Sequence, residues 1–202
     1  MAIPNRMSSE ERRAAILEVA VKLFSERGLR GTTTRALAEA MGVSEPVIYE
    51  HFKSKHDLYA AIVEAKSREG LATGTELLKP LAKAKNDRAL FIGLAELVMR
   101  CYSEDQAYSR LLLSAALEDH TLGNIFYERQ REGRELLAAY VAERIEDGAF
   151  RPVDPRLAVR AFLGMVAHHG LTNMLYHDDF VKGSRRQIVE GLVDLFLKGI
   201  SK

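Results

Sequence analysis

The sequence predicts an all-α protein, with a small N-terminal helical unit followed by a larger helical one. Three observations carry this. Apolar residues recur at three- and four-residue spacing in nearly every segment, as amphipathic helices require. The breaks between segments are Gly, Pro, Ser, Thr and Asp, the residues that cap and stop helices. No strand-like alternation of useful length, repeat or low-complexity stretch intervenes.

The first helix is written in "SSEERRAAILEVAVKLFSERG". Ile16, Leu17, Ala20, Leu23 and Phe24 form one stripe. Ser8 or Ser9 can cap it, Glu10 and Glu11 suit its positive end, and Gly28 is a stop. "TTTRALAEAMG" gives a shorter second helix with a threonine cap, an apolar face of Leu37, Ala38 and Met41, and Gly42 at its end. "VSEPVIYEHF" gives a third, with Ser44 as N-cap. Pro46 falls in its first turn, where a missing N–H costs little, so the proline starts this helix rather than breaking it. The fourth, "KSKHDLYAAIVEAKSREG", is entered at Ser54 and joins the two units. We divide the chain at that point, 1–53 and 54–202.

Beyond about residue 70 the expected helices are longer. They are "NDRALFIGLAELVMRCYS", "EDQAYSRLLLSAALEDH" and "TLGNIFYERQREGRELLAAYVAERIEDG". After a break at "AFRPV" come "DPRLAVRAFLGMVAHHGLTNMLYH", with Asp154 as N-cap and Pro155 at the first position, and "SRRQIVEGLVDLFLKGI".

Composition narrows the function. A chain of 202 residues, 47% hydrophobic and 28% charged, can bury a core without staples. Its net charge of +1 names no partner, so any basic surface must be local. Cys101 is the only cysteine, which excludes an internal disulfide and a cysteine-based zinc site and suits the cytoplasm. The N-terminus lacks the apolar core of a signal peptide, and no apolar run reaches membrane-spanning length.

Two short helices joined by a Gly-containing turn make a helix-turn-helix, whose second helix enters the DNA major groove. The third helix has the shape this needs. Ile48 and Phe52 would seat it on a core of Leu23, Phe24, Leu37 and Met41, leaving Glu45, Pro46, Val47, Tyr49 and His51 outward. Thr33 and Thr34 offer hydroxyls and backbone N–H groups at a helix N-terminus, where anions bind. Arg35 sits just inside that end, and Lys55 opens the next helix. Tyr49 and His51 can also donate to phosphate. Residues 1 to 55 hold nine Lys/Arg and seven Asp/Glu, a weak basic excess, so placement carries the case and bulk charge does not.

"GLRGTTTRALAEAMGVSEPVIYEHFKSKHDLYAAI", residues 28 to 62, resembles the DNA-binding segment of the TetR family of transcriptional regulators. The matching features are the threonines and Arg35, "MGVS" at the turn, Tyr49, and "HFKSK" leading into the fourth helix. The resemblance covers about the first 65 residues. The remainder matches in being all-helical and of suitable length. The resemblance implies DNA contacts from Thr34, Arg35, Ser44, Glu45, Pro46, Val47, Tyr49, His51 and Lys55. It also implies a homodimer joined by its last two long helices and a C-terminal domain that binds a small ligand. Glu45 departs from the small or amide residues common at its position. A carboxylate is repelled by phosphate but can accept from cytosine N4.

Other features read more plainly. His168 and His169 are adjacent and point about 100° apart on a helix. Without i, i+4 spacing or a nearby acidic or thiol cluster, no metal site is expected from them, and no cofactor from the chain. Cys101 is expected to be a buried small hydrophobe. Met99, Tyr102, Phe126, Tyr127, Met165, His169 and Met174 are the candidate lining of a ligand pocket; such residues are also the ordinary material of a core. Leu157, Phe162, Met165 and Leu171, with Ile188, Leu192, Leu195 and Phe196, are the expected dimer stripes.

The function expected is therefore a cytoplasmic, homodimeric, ligand-responsive repressor, released from a palindromic double-stranded operator by a small organic effector, with no catalytic chemistry. Two other readings stand beside it. One is a small helical enzyme using Cys101 or His168 and His169; it lacks the adjacent base and orienting group such chemistry needs. The other is a regulator without an inducer, or an activator.

Overall fold

The computed structural model describes residues 7–177 and 180–201. The first six residues, part of the stretch read for a signal peptide, lie outside the described residues, as do 178, 179 and 202. Ten helices are described: α1 (Ser9–Gly31), α2 (Thr34–Met41), α3 (Glu45–His51), α4 (Lys55–Lys83), α5 (Asp87–Ser103), α6 (Gln106–Glu118), α7 (His120–Arg129), α8 (Arg131–Glu146), α9 (Pro155–Tyr176) and α10 (Arg185–Ile200). Among the described residues the only β pairing is one bridge, Phe150 with Ser201. The all-α class with an N-terminal helix-turn-helix is as the sequence predicts.

Packing groups the helices into two compact units that do not follow chain order. The first runs up to Arg68 and takes in Ala107–Arg129; the second comprises Glu69–Gln106 and the residues from Gln130 onward. Helix α4 supplies its first half to one unit and its second half to the other.

In the first unit, Ser8 caps α1 in a capping box: its hydroxyl accepts from the Glu11 N–H, while the Glu11 carboxylate accepts from the Ser8 N–H. These bonds hold the Glu11 pKa below its ordinary value. The stripe of α1 is buried at Ile16, Ala20, Leu23 and Phe24, against Leu37 and Met41 of α2, Ile48 of α3, Phe52 just after it, and Leu58, Tyr59 and Ile62 of α4. Leu111, Ala115 and Leu122 of α6 and α7 complete the core. Burying each such large apolar side chain contributes about 1.5–3 kcal/mol. At Gly28 the helical path breaks, with φ +71° and ψ 168°, and a last turn follows. That backbone region is essentially open to glycine alone. Glu118 fills the space beside Gly28 and accepts from the Arg30 N–H at 3.0 Å.

In the second unit, α5 lies against α9 and α10, and α8 against α9. Its centre is a triad of rings, Phe91, Phe162 and Phe196, each pair with centroids 4.9 Å apart and strongly inclined. Arg144 on α8 forks onto Asp87 of α5, Nε to Oδ1 at 2.9 Å and Nη2 to Oδ2 at 3.0 Å. Tyr140 donates to the same carboxylate. Arg185 ties the start of α10 to Glu96 of α5 at 2.8 Å.

Four expectations are corrected. Helix α4 continues past Gly70 to Lys83, with Pro80 inside its final turn. Leu78 packs into the space left by Gly93 of α5, so tertiary contact extends the helix across weak formers. The single long helix expected after residue 120 is two, parted at Gln130. Cys101 is exposed, its Sγ 3.5 Å from the Leu97 carbonyl oxygen one turn back. Phe162 and Phe196 are buried within the unit at 0% and 6% exposure, so they belong to its own core and not to an outward stripe.

Candidate DNA interface

Helix α3 is held from beneath by Ile48 and Phe52, both buried. Its carbonyl end is held from the side. The Arg13 guanidinium donates to the His51 carbonyl oxygen at 3.2 Å and lies 4.3 Å from the centre of the Phe52 ring. A cation at a helix C-terminus meets the negative end of its dipole, and the same cation stacked on an aromatic face fixes the exit of the chain. Sequence reading missed Arg13, because its partners lie 38 residues away. Gly42, at φ +67°, makes the left-handed turn out of α2, and its N–H and that of Val43 return to the last α2 carbonyls.

The outward residues then fall into place. Tyr49 is 50% exposed. Ser44 and Pro46 are exposed, and Glu45, Val47 and His51 are half-buried. Ser44 stands at the N-cap position of α3 but makes no side-chain capping bond there.

Thr33 caps α2, its hydroxyl accepting from the Ala36 N–H at 3.0 Å. Capping leaves the N–H groups of Thr34 and Arg35 directed out of the helix end. Ser54 does the same for α4, accepting from the Asp57 N–H at 3.1 Å. These two helix starts open on one cleft of about 440 Å³, lined by Thr33, Thr34, Tyr49, Lys53, Ser54, Lys55 and His56. Two helix N-termini, hydroxyls and a lysine facing one open cleft suit a phosphate oxygen. Lys53, exposed at its rim, joins the set without having been singled out from the sequence.

Other predicted residues carry internal duties as well. The Lys55 ammonium donates to the carbonyl oxygens of Leu29 at 2.7 Å and Thr32 at 2.8 Å, which satisfies the C-terminal end of α1. Arg35 is exposed and pairs with Glu39 at 2.9 Å, a bond that raises its already high pKa. Thr34 donates its hydroxyl hydrogen to Glu45, and the Tyr49 hydroxyl lies 3.2 Å from the same Thr34 oxygen.

The candidate pocket residues are divided. Met99, Tyr102, Met165, His169 and Met174 lie in the second unit, Phe126 and Tyr127 in the first. Met99 and Met174 are buried, and Met165 packs on the second unit's core. Tyr102 presses on the backbone of Gly170, whose missing side chain admits the ring. The His169 ring nitrogen Nε2 is 2.8 Å from the Asn173 amide nitrogen one turn on. Phe126 packs on the first unit's core, and Tyr127 is exposed. His168 is exposed on α9.

Comparison with known proteins identifies the family. The family model for bacterial regulatory proteins of the tetR family matches residues 16–62, the helix-turn-helix and its flanks. The model for the C-terminal domain of AefR-like transcriptional repressors matches residues 90–199. The HTH-type transcriptional repressor KstR2 of Rhodococcus jostii is 32% identical over 162 residues, 74% of this chain and 73% of that protein. Two solved structures share the fold. A TetR-family transcriptional regulator from Mesorhizobium loti superposes with a TM-score of 0.74 at 20% identity, covering 98% of this chain and 100% of that one. The ketosteroid transcriptional regulator KstR2 of Mycobacterium tuberculosis superposes with a TM-score of 0.63 at 22% identity, covering 99% of each chain. With its helix-turn-helix and its C-terminal region both matched, the chain belongs to the TetR family of DNA-binding transcriptional regulators.

Proposed function

We propose that this protein is a cytoplasmic, homodimeric repressor that leaves a near-palindromic operator when a small, largely apolar organic ligand binds. Residues 1–53, joined by the first residues of α4, would hold the DNA, and the rest of residues 54–202 the ligand and the partner chain. The observation that carries the DNA half is the cleft between the starts of α2 and α4, beside the exposed face of α3. Phosphate held there would set α3 against base edges in the major groove. Half-sites about one helical turn apart, or slightly more, follow from the two-fold axis of a dimer.

The dimer half rests on exposed apolar residues of α9 and α10. Leu157 and Leu195 are 64% and 68% exposed. Ala161, Gly164, His168 and Leu175 continue the exposed face of α9 at helical spacing. A face of this kind is unfavourable in water and is covered when two copies pair.

For the ligand, the support is the apolar and aromatic character of the second unit and the likeness to KstR2, a ketosteroid transcriptional regulator in M. tuberculosis. Such a ligand would act by differential affinity for two arrangements of the dimer. Linkage is reciprocal, so operator duplex must weaken ligand binding by the factor by which ligand weakens DNA binding, typically about 5- to 150-fold. Calorimetry with a panel of ketosteroids and fatty acids, with and without saturating duplex, tests this. A compound that binds equally well in both cases is not an inducer.

A further inference from the structure

Glu45 is the one carboxylate in the first turn of α3, the helix that faces DNA in the function proposed above. Its Oε1 accepts the hydroxyl hydrogen of Thr34. A hydroxyl has one hydrogen, so the Tyr49 hydroxyl, 3.2 Å from the same Thr34 oxygen, must be the donor of that second bond. The chain of donation thus runs from Tyr49 through Thr34 and ends on Glu45. Two hydroxyls suited to donate to phosphate are spent on holding a carboxylate.

A carboxylate beside a phosphate backbone is repelled, so Glu45 helps binding only where it meets a hydrogen-bond donor. The donors in the major groove are the N4 amine of cytosine and the N6 amine of adenine. Adenine sets its N7 acceptor beside that amine, facing the carboxylate's other oxygen. Cytosine has no acceptor there. Guanine presents N7 and O6 and thymine presents O4, all acceptors that a carboxylate repels.

We propose that Glu45, positioned by Thr34, is a specificity-determining residue that requires cytosine at one position of each operator half-site and rejects guanine and thymine. The proposal rests on α3 being the recognition helix.

The test is selection of binding sites by the full-length protein from a random-sequence duplex pool, repeated with Glu45→Gln and Thr34→Val. The wild-type selection is expected to return one cytosine per half-site whose replacement by guanine or thymine weakens binding on the order of ten- to a hundredfold. Glu45→Gln should move the preference at that position to adenine, which glutamine reads through N6 and N7. It should leave the other positions unchanged. Thr34→Val should blur the preference there alone. If Glu45→Gln keeps the same consensus, or binds every sequence more tightly by one factor, Glu45 is an electrostatic penalty and reads no base. If the wild-type protein enriches no sequence, the recognition-helix reading fails, and this inference fails with it.

Discussion

The ammonium of Lys55 lies 2.7 Å from the carbonyl oxygen of Leu29 and so closes the end of α1 with the first residue of α4. A second bond, to the Thr32 carbonyl, completes the clamp. Lys55→Ala is therefore expected to cost about 1.5–3 kcal/mol of stability, the usual range for hydrogen bonds to a charged group. Lys53, exposed at the rim of the same cleft, should behave differently. Lys53→Ala should leave the melting temperature unchanged, weaken binding to all duplexes alike, and lower the salt slope by about one. Thermal melts and salt titrations of the two variants check this; a stable Lys55→Ala protein would remove the clamp from the account.

Gly28 and Gly42 both have positive φ but should tolerate alanine unequally. At Gly42, with φ +67° and ψ 31°, nothing lies within 4 Å of an added Cβ, so the cost is the left-handed strain alone, about 1 kcal/mol. At Gly28 the backbone lies outside even that region, and a Cβ would collide with the Glu118 carboxylate. Displacing Glu118 also breaks its bond to the Arg30 N–H. Gly28→Ala should cost at least about twice as much as Gly42→Ala. Denaturant titration gives both values, and equal costs would contradict the Glu118 contact.

Neighbours on α10 separate assembly from folding. Leu195 is 68% exposed, whereas Phe196 is in the ring triad with Phe91 and Phe162. Leu195→Glu should yield a folded monomer in sedimentation at micromolar concentration. Phe196→Glu buries a charge against the two remaining rings, Phe91 and Phe162, and should abolish the fold, seen as loss of helical circular dichroism. A Leu195→Glu protein that remains a dimer would remove α10 from the interface.

One source of alkaline pH dependence lies in the first unit's core. Tyr59 is fully buried in the first unit's core, and burial pushes its hydroxyl up to about 12. The folded state therefore favours the neutral phenol. Its contribution is complete below the unfolded value of about 10 and is lost as pH rises from there to about 12. Tyr59→Phe should be at least as stable as wild type at neutral pH, since among the described residues its hydroxyl has no hydrogen-bond partner to lose. The difference should grow in favour of Phe between pH 10 and 12. Parallel alkaline melts would contradict it.

Much of this was written in local chemistry. The place of Pro46, a serine cap at Ser8 or Ser9, a threonine cap on α2, the cap at Asp154, and the burial of Ile48 and Phe52 follow from period and cap alone; the structure picks Ser8 and Thr33. The extension of α4 through Gly70, Gly74 and Pro80 did not, because its cause is contact with α5, as at Leu78 over Gly93. The stripe holding Phe196 was visible, but a period marks a buried face without saying what buries it. The same limit hid the second duties of Lys55 and Glu45. Their partners stand 26 and 11 residues away and meet only after folding.

The central claim is that paired copies of α3 read an operator. Its most direct test is an anisotropy titration of the protein on a duplex selected from a random pool, against a scrambled duplex of equal composition, with sedimentation to count chains. The account predicts an inverted-repeat sequence, two chains per duplex, and binding at least about a thousandfold tighter than to the scrambled control. Equal affinity for both duplexes, or specific binding by a single chain to an asymmetric site, would contradict it.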